Sequence, residues 1–171
     1  MPLSPADPDP DANLLLSRQL CFALHSTTLA LGRVYARVLA PLGLTYTQYL
    51  ALMVLWETGE ISVKRLGERL LLDSGTLTPL LKRMEAAGLV ARRRDPDDER
   101  RVLVTLTQAG TALKQPARDV PLQIAEVCKA SGLDLQALKA DLEALRAALG
   151  GAPETAHPPA DAKTPGTGPG V

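Results

Sequence analysis

Aromatic residues are scarce in this sequence. One Trp, one Phe and three Tyr make up 3% of its 171 residues, so a core must be built from aliphatic side chains, which a hydrophobic share of 46% can supply. Cysteine is scarcer, at two residues, which excludes a disulfide scaffold and favours two reduced thiols in the cytoplasm. Net charge is absent: 19 Lys and Arg balance 19 Asp and Glu, which excludes the strongly basic coat of a histone-like protein. No apolar run approaches the roughly 18 residues of a transmembrane helix, so no membrane partner is expected. The opening segment MPLSPADPDPDAN is acidic and Pro-rich, and reads as neither a signal nor a transit peptide. There is no HExxH, no CxxC and no Gly-rich phosphate loop, so neither a metal nor a cofactor is expected.

Proline marks the ends of the chain. Four of the fourteen lie in residues 1–10, and five more in the last 22 residues, together with five glycines. Both ends read as disordered, because they hold too little apolar surface to offset the entropy of ordering. Between them, residues 14–40 read as one long helix. Leu20, Cys21, Leu24, Thr28, Leu31, Tyr35 and Val38 recur at spacings of three and four, and Pro41 with Gly43 ends the run. Thr45 or Thr47 caps a second helix that Gly59 stops. Ser62 caps a third, carrying Leu66 and Leu70. Asp73 and Ser74 are the next cap candidates, before the stripe Leu77, Leu80, Leu81 and Met84. Pro79 leaves two starts open for this fourth helix: a cap at Thr78 with Pro79 first, or an earlier start with Pro79 inside.

The pattern then changes. Residues 89–94 and 101–106 are short β-branched runs around the turn-rich Asp95-Pro-Asp-Asp-Glu99, which predicts a hairpin. Thr107 caps a further helix, bent or interrupted near Pro116 and Pro121. Residues 133–149 form a last amphipathic helix, with Leu135, Leu138, Leu142, Leu145 and Leu149 on one face. The expected fold is mainly α with a small β-hairpin wing.

Charge is neutral in total but unevenly spread. Residues 64–94 hold eight basic residues (Lys64, Arg65, Arg69, Lys82, Arg83, Arg92, Arg93, Arg94) against three acids, whereas residues 1–63 hold three basic and five acidic. Two short helices followed by a basic hairpin are the element order of a winged helix-turn-helix DNA reader. Its second helix fits the major groove, and the hairpin can place an arginine in an adjacent minor groove. The competing reading is that these cations solvate a surface.

Four segments make the sequence recognisable: Gln19-Leu-Cys-Phe-Ala-Leu24, Leu44-Thr-Tyr-Thr-Gln-Tyr-Leu-Ala-Leu52, Leu72-Asp-Ser-Gly-Thr-Leu-Thr-Pro-Leu-Leu-Lys-Arg83 and Asp98-Glu-Arg100. Over about residues 14–149 the chain resembles the MarR family of winged helix-turn-helix regulators, and within it the organic-hydroperoxide-sensing repressors. The resemblance implies a homodimer on double-stranded operator DNA, released when a cysteine is oxidised by an organic hydroperoxide, so that a peroxide-resistance gene is derepressed. It implies a reader at residues 45–106 and dimerisation helices at 13–44 and 107–149, with disordered segments at 1–12 and 150–171.

By this resemblance Cys21 is the sensing thiol, attacking a peroxide oxygen to give a sulfenic acid. Apart from the resemblance, a Cys on an apolar helix face is usually a small core residue. Tyr35 and Tyr46 match tyrosines that bond the reactive sulfur in similar proteins, or else are ordinary interface aromatics. Tyr35 lies roughly 21 Å along a straight helix from Cys21, so the two can meet only across a dimer. His25 stands at i+4 from Cys21, where the family pattern has an aromatic hydroxyl, and is either a partner of the sulfur or an interface histidine. Cys128 falls where the two-cysteine type carries its resolving thiol, and is otherwise a bystander. For DNA contact, Ser74, Thr76, Thr78, Lys82 and Arg83 map onto the recognition helix. Arg92, Arg94 and Arg100 map onto the wing, with Asp98 expected to brace Arg100 as a bidentate pair. Two rivals remain: a regulator of the same fold released by a phenolic or lipophilic ligand, with Cys21 incidental, and a thiol peroxidase, against which the basic hairpin argues.

Overall fold

The structure is a computed structural model that describes residues 11–150. The expectations for residues 1–10 and 151–171 lie outside the described residues. The chain divides between Val127 and Cys128 into two compact units.

The first unit opens differently from the sequence reading. Residues 14–40 are not one helix. Two 3-10 turns, Ala12–Leu14 and Leu16–Arg18, precede α1, Leu20–Leu39. Leu15 and Gln19 are extended (ψ 123° and 120°), and the Gln19 side-chain amide donates to Asn13 O and Leu15 O, holding the chain out of helical geometry. Ala12 is buried within the first of these turns. A 3-10 turn at Ala40–Leu42 and Gly43 at φ 65° end the segment.

Helix α2, Tyr46–Thr58, is the centre of the core. Thr45, not Thr47, caps it through a capping box with Gln48. Tyr49, Ala51, Leu52, Val54 and Leu55 are all buried, and pack with Leu39, Leu66, Leu77, Leu80, Leu81 and Met84. Truncating a fully enclosed leucine such as Leu52 or Leu55 would cost about 2–5 kcal/mol.

Strand β1, Glu60–Ser62, follows at once and pairs antiparallel with a strand more than forty residues later. The sequence reading gave a two-stranded hairpin; the sheet has three strands, in the order β1-β3-β2. Ser62 also caps α3, Val63–Leu70, by accepting from Arg65 N–H. Leu71, at φ 55°, turns the chain into α4, Ser74–Ala86. An added Cβ at Gly67 would stand 3.0 Å from Leu72 O and 3.2 Å from a Leu77 methyl, so glycine sets how closely α3 meets α4. Asp73 caps α4, which settles the open question: the helix starts early and Pro79 lies inside it.

The hairpin is β2, Val90–Arg94, and β3, Val102–Leu106, registered Val90↔Leu106 to Arg94↔Val102. Thr107 caps α5, Gln108–Ala112, and the expected interruption appears as separate α6, Lys114–Ala117, and α7, Val120–Lys129. Trp56 Nε1–H donates to Gly110 O at 3.0 Å and Lys114 Nζ to Trp56 O at 3.2 Å, fastening this segment to α2. In the second unit α8, Leu135–Gly150, begins where Asp134 Oδ1 accepts from Gln136 and Ala137 N–H. Its Leu135, Leu138, Leu142 and Leu149 are exposed. Among the described residues no single helix is long and apolar enough to cross a membrane. The segments Leu20–Leu42 and Tyr46–Thr58 pass that test only as a pair bent by 67°, and the second of them is core.

Candidate functional site

Two sets of residues stand out. The first is the face formed by α3, α4 and the wing. Helix α4 buries Leu77, Leu80, Leu81 and Met84, which turns Ser74, Thr76, Thr78, Lys82 and Arg83 to solvent. Asp73 accepts from Thr76 N–H at 2.9 Å and from Thr76 Oγ1 at 3.2 Å, and these bonds hold its carboxyl below the usual carboxylate range. The start of α4 is thus ordered by a charged cap whose partner, Thr76, already spends its hydroxyl proton on Asp73.

At the wing turn Asp95 is buried and accepts from Asp97 N–H, and Arg101 reaches it at 3.6 Å. Arg94 Nη1 donates to Glu99 O at 2.8 Å, so Arg94 also ties the turn together. Arg100 is 93% exposed. The bidentate Asp98–Arg100 pair expected from sequence does not form. A single oxygen, Asp98 Oδ1, accepts from Arg100 N–H at 3.1 Å and Arg100 Nε at 3.3 Å, because two residues of separation bring backbone and side chain to the same atom. The bonds to Asp98 use Arg100 N–H and Nε, not the guanidinium's outer nitrogens.

The basic run 64–94 is less positive than its count suggests. Arg65 pairs with Glu68, Arg69 with Glu57, Arg92 with Glu85 and Arg93 with Glu60. Among the described residues, Lys64, Lys82 and Arg83 have no such carboxylate partner, and Lys64 lines one groove with Arg100. Arg92, a DNA candidate by sequence, is half-buried and gives Nε and Nη2 to Glu85. Arg65–Glu68 is an i,i+3 pair within α3, whereas the other three pairs join different elements and needed the fold. For Glu85 and Arg92 the trace in sequence was an acid in the last turn of α4 followed by an arginine inside β2. A groove of about 830 Å³ runs between α3, α4 and the wing, lined by Lys64, Arg65, Thr78, Arg92, Arg100 and Arg101 among others.

The second set is the thiol and its neighbours. Cys21 is the second residue of α1 and is exposed, with exposed Leu20 and Phe22 beside it. Its amide lies among the first-turn N–H groups that lack intrahelical acceptors, the end of a helix that favours negative charge. His25 is exposed one turn further on. Tyr35 is not near Cys21 within the chain: both lie on α1, fourteen residues or roughly 21 Å apart. Tyr35 and Tyr46 do meet, with ring centroids 4.3 Å apart, and Tyr49 lies 6.2 Å from Tyr35. Burial pushes the phenols of Tyr46 and Tyr49 above their ordinary ionisation range, and at Tyr49 the neighbouring Tyr46 adds to this. Both therefore stay protonated hydrogen-bond donors near neutral pH. Cys128 is the penultimate residue of α7, half-buried, its carbonyl accepting from Ser131 Oγ at 2.7 Å.

Comparison with known proteins agrees with this geometry. Residues 44–102 match the MarR family. The organic hydroperoxide resistance transcriptional regulator of Bacillus subtilis (strain 168) is 48% identical over 133 residues, which are 78% of this chain and 90% of that protein. Reduced AbfR bound to DNA, a protein of Staphylococcus epidermidis, superposes with a TM-score of 0.67 at 33% identity, over 81% of this chain and 94% of that one. The disulfide-formed AbfR superposes less well, at 0.56 and 31% identity, over 80% and 94%. A mainly α chain with a three-stranded wing, a capped recognition helix and this degree of likeness belongs to the MarR family of transcriptional regulators.

Proposed function

We propose that this protein is a homodimeric, cytoplasmic repressor that binds operator DNA and releases it when an organic hydroperoxide oxidises Cys21. The observation that carries this reading is the placement of Cys21: exposed, in the first turn of α1, among exposed Leu20 and Phe22, in a chain 48% identical over 133 residues to an organic hydroperoxide resistance regulator. An apolar surround attracts an organic peroxide more than hydrogen peroxide. The Cys21 sulfur attacks the peroxide's terminal oxygen, the O–O bond breaks, and the products are Cys21 sulfenic acid and the corresponding alcohol. Residues 45–106 act as the reader. Segments 13–44 and 107–149 supply the dimer contacts, for which the exposed leucines of α1 and α8 offer apolar surface. In the dimer Tyr35 and Tyr46 of one protomer stand toward the partner's sulfur as O–H donors, with His25 beside it. Ser74, Thr78, Lys82, Arg83 and Arg100 contact DNA.

The test is a duplex-binding assay with and without cumene hydroperoxide, on wild type and Cys21→Ser. Serine keeps the size and cannot form a sulfenic acid. The variant is expected to bind as wild type does and to stay bound in peroxide. Release of the variant by peroxide would remove Cys21 from the mechanism and leave a ligand-released regulator.

A further inference from the structure

Glu85 lies in the last turn of α4 and Arg92 is the third residue of β2. Glu85 accepts three hydrogen bonds from that one residue: Arg92 N–H to Oε1 at 3.3 Å, Nε to Oε2 at 3.0 Å, and Nη2 to the same Oε2. Strand β2 is at the edge of the sheet, so alternate N–H groups face away from the ladder, and Glu85 satisfies one of them. The pair is partly enclosed, with side chains 27% and 38% exposed. Charge-assisted bonds in such a setting are firmer than those of an open surface pair. Bonding to Arg92 also holds the Glu85 carboxyl below its ordinary range, so it is ionised throughout the neutral range. Only Ala87, Gly88 and Leu89 separate α4 from β2. The short turn joins helix to strand at one point, and the Glu85–Arg92 clamp joins them at a second. Met84 and Val90 share the core beneath the turn, and the clamp adds a polar tie at the surface that fixes the angle between helix and strand.

We propose that Glu85 is a positioning residue for DNA binding: through Arg92 it fixes the angle between the recognition helix and the wing, so that α4 and Arg100 meet the duplex together. Arg92 serves the same clamp and is not itself a phosphate contact. The inference rests on the reading of this protein as a DNA-binding regulator. Its distinguishing feature is a sign. Glu85 is an anion beside a DNA-facing groove, so by charge alone Glu85→Gln tightens binding by reducing repulsion of phosphate. A positioning role makes the same change weaken it.

The experiment uses the full-length protein and a duplex recovered by selection from a random pool with wild type. Affinity is measured over a range of salt for wild type, Glu85→Gln, Arg92→Gln and the double variant, with thermal midpoints alongside. Each single variant is expected to bind about tenfold more weakly, with the wild-type salt slope. The double variant is expected to be no weaker than either single one, because one clamp is lost in all three. Glu85→Gln binding as tightly as wild type or tighter overturns the proposal. So does an Arg92→Gln salt slope lower by about one unit, the mark of a lost phosphate contact. If Glu85→Gln fails to fold, the Arg92→Gln slope still decides. Wild type that recovers no duplex at all would instead overturn the DNA-binding reading.

Discussion

Arg92 and Arg100 are eight residues apart and meet opposite surroundings. Arg92 is held by Glu85, whereas Arg100 extends from the wing tip with one oxygen of Asp98 beneath it. Arg100→Ala should weaken duplex binding by about 1–3 kcal/mol if its guanidinium reads a base edge. It should also lower the salt slope by about one unit if a phosphate contact goes with it. Titration of wild type and variant at several salt concentrations separates the two, and unchanged affinity would take the wing out of the mechanism. Buried Tyr49 and half-buried Tyr46 make a prediction of their own. The fold favours the neutral phenols of Tyr46 and Tyr49, so the stability they bring is present below the ordinary tyrosine range. It is lost as pH climbs through their raised values. Phenolate absorbance during an alkaline titration should rise late for these two, and together with loss of helix. Phenolate appearing at ordinary pH in the folded protein would contradict the burial.

At the scale of elements, the junction of wing and α5 leaves the least room beside any described glycine. Gly110 sits in α5 beneath Leu89, and an added Cβ would stand 2.1 Å from Leu89 O, a backbone atom that cannot swing aside. In an open helix Gly→Ala gains up to about 1 kcal/mol. Here overpacking reverses the sign, and Gly110→Ala should destabilise by about 1–3 kcal/mol or more. Urea unfolding measures this, and a stabilised variant would show that α5 and the wing base can part. The carbonyl of Gly110 holds Trp56, so the variant should also alter the fluorescence of that sole tryptophan. The same junction shows what the sequence did and did not reveal. Caps and stripes were legible: Thr45, Ser62, Asp73 and Thr107 start their helices, because capping is written within four residues. Strand β1 was not legible. Glu60-Ile-Ser62 is too short to alternate, and it is a strand only because β3 lies beside it. The start of α1 lies later than the sequence reading because no Gly or Pro interrupts residues 14–19, while the Gln19 amide holds that stretch in turns. Of the candidate site, the exposed face of α4 followed from its buried stripe. Every interelement ion pair needed the fold.

For the molecule as a whole, Cys21 and Cys128 lie on either side of residues 45–106 in sequence, and the proposed mechanism requires a signal to pass from thiol to reader. The proposed dimer supplies a route. A sulfenic acid at Cys21 condenses with a thiol to form a disulfide and release water. If that thiol is the partner protomer's Cys128, the bond requires Cα atoms about 4.4–6.8 Å apart. Meeting that requirement constrains two protomers whose readers must sit about one helical turn of DNA, roughly 34 Å, apart. A link that displaces either reader by a few ångströms breaks the match to successive major grooves, and operator binding falls. Non-reducing electrophoresis after peroxide treatment should therefore show a covalent dimer in wild type and none in Cys21→Ser or Cys128→Ser. Release of DNA in Cys128→Ser should be incomplete, or should reverse poorly once the sulfenic acid oxidises further. A link confined to one chain would demote Cys128 to a bystander, as would full and fully reversible release in Cys128→Ser. Cys21 would then depend on a small thiol to resolve it.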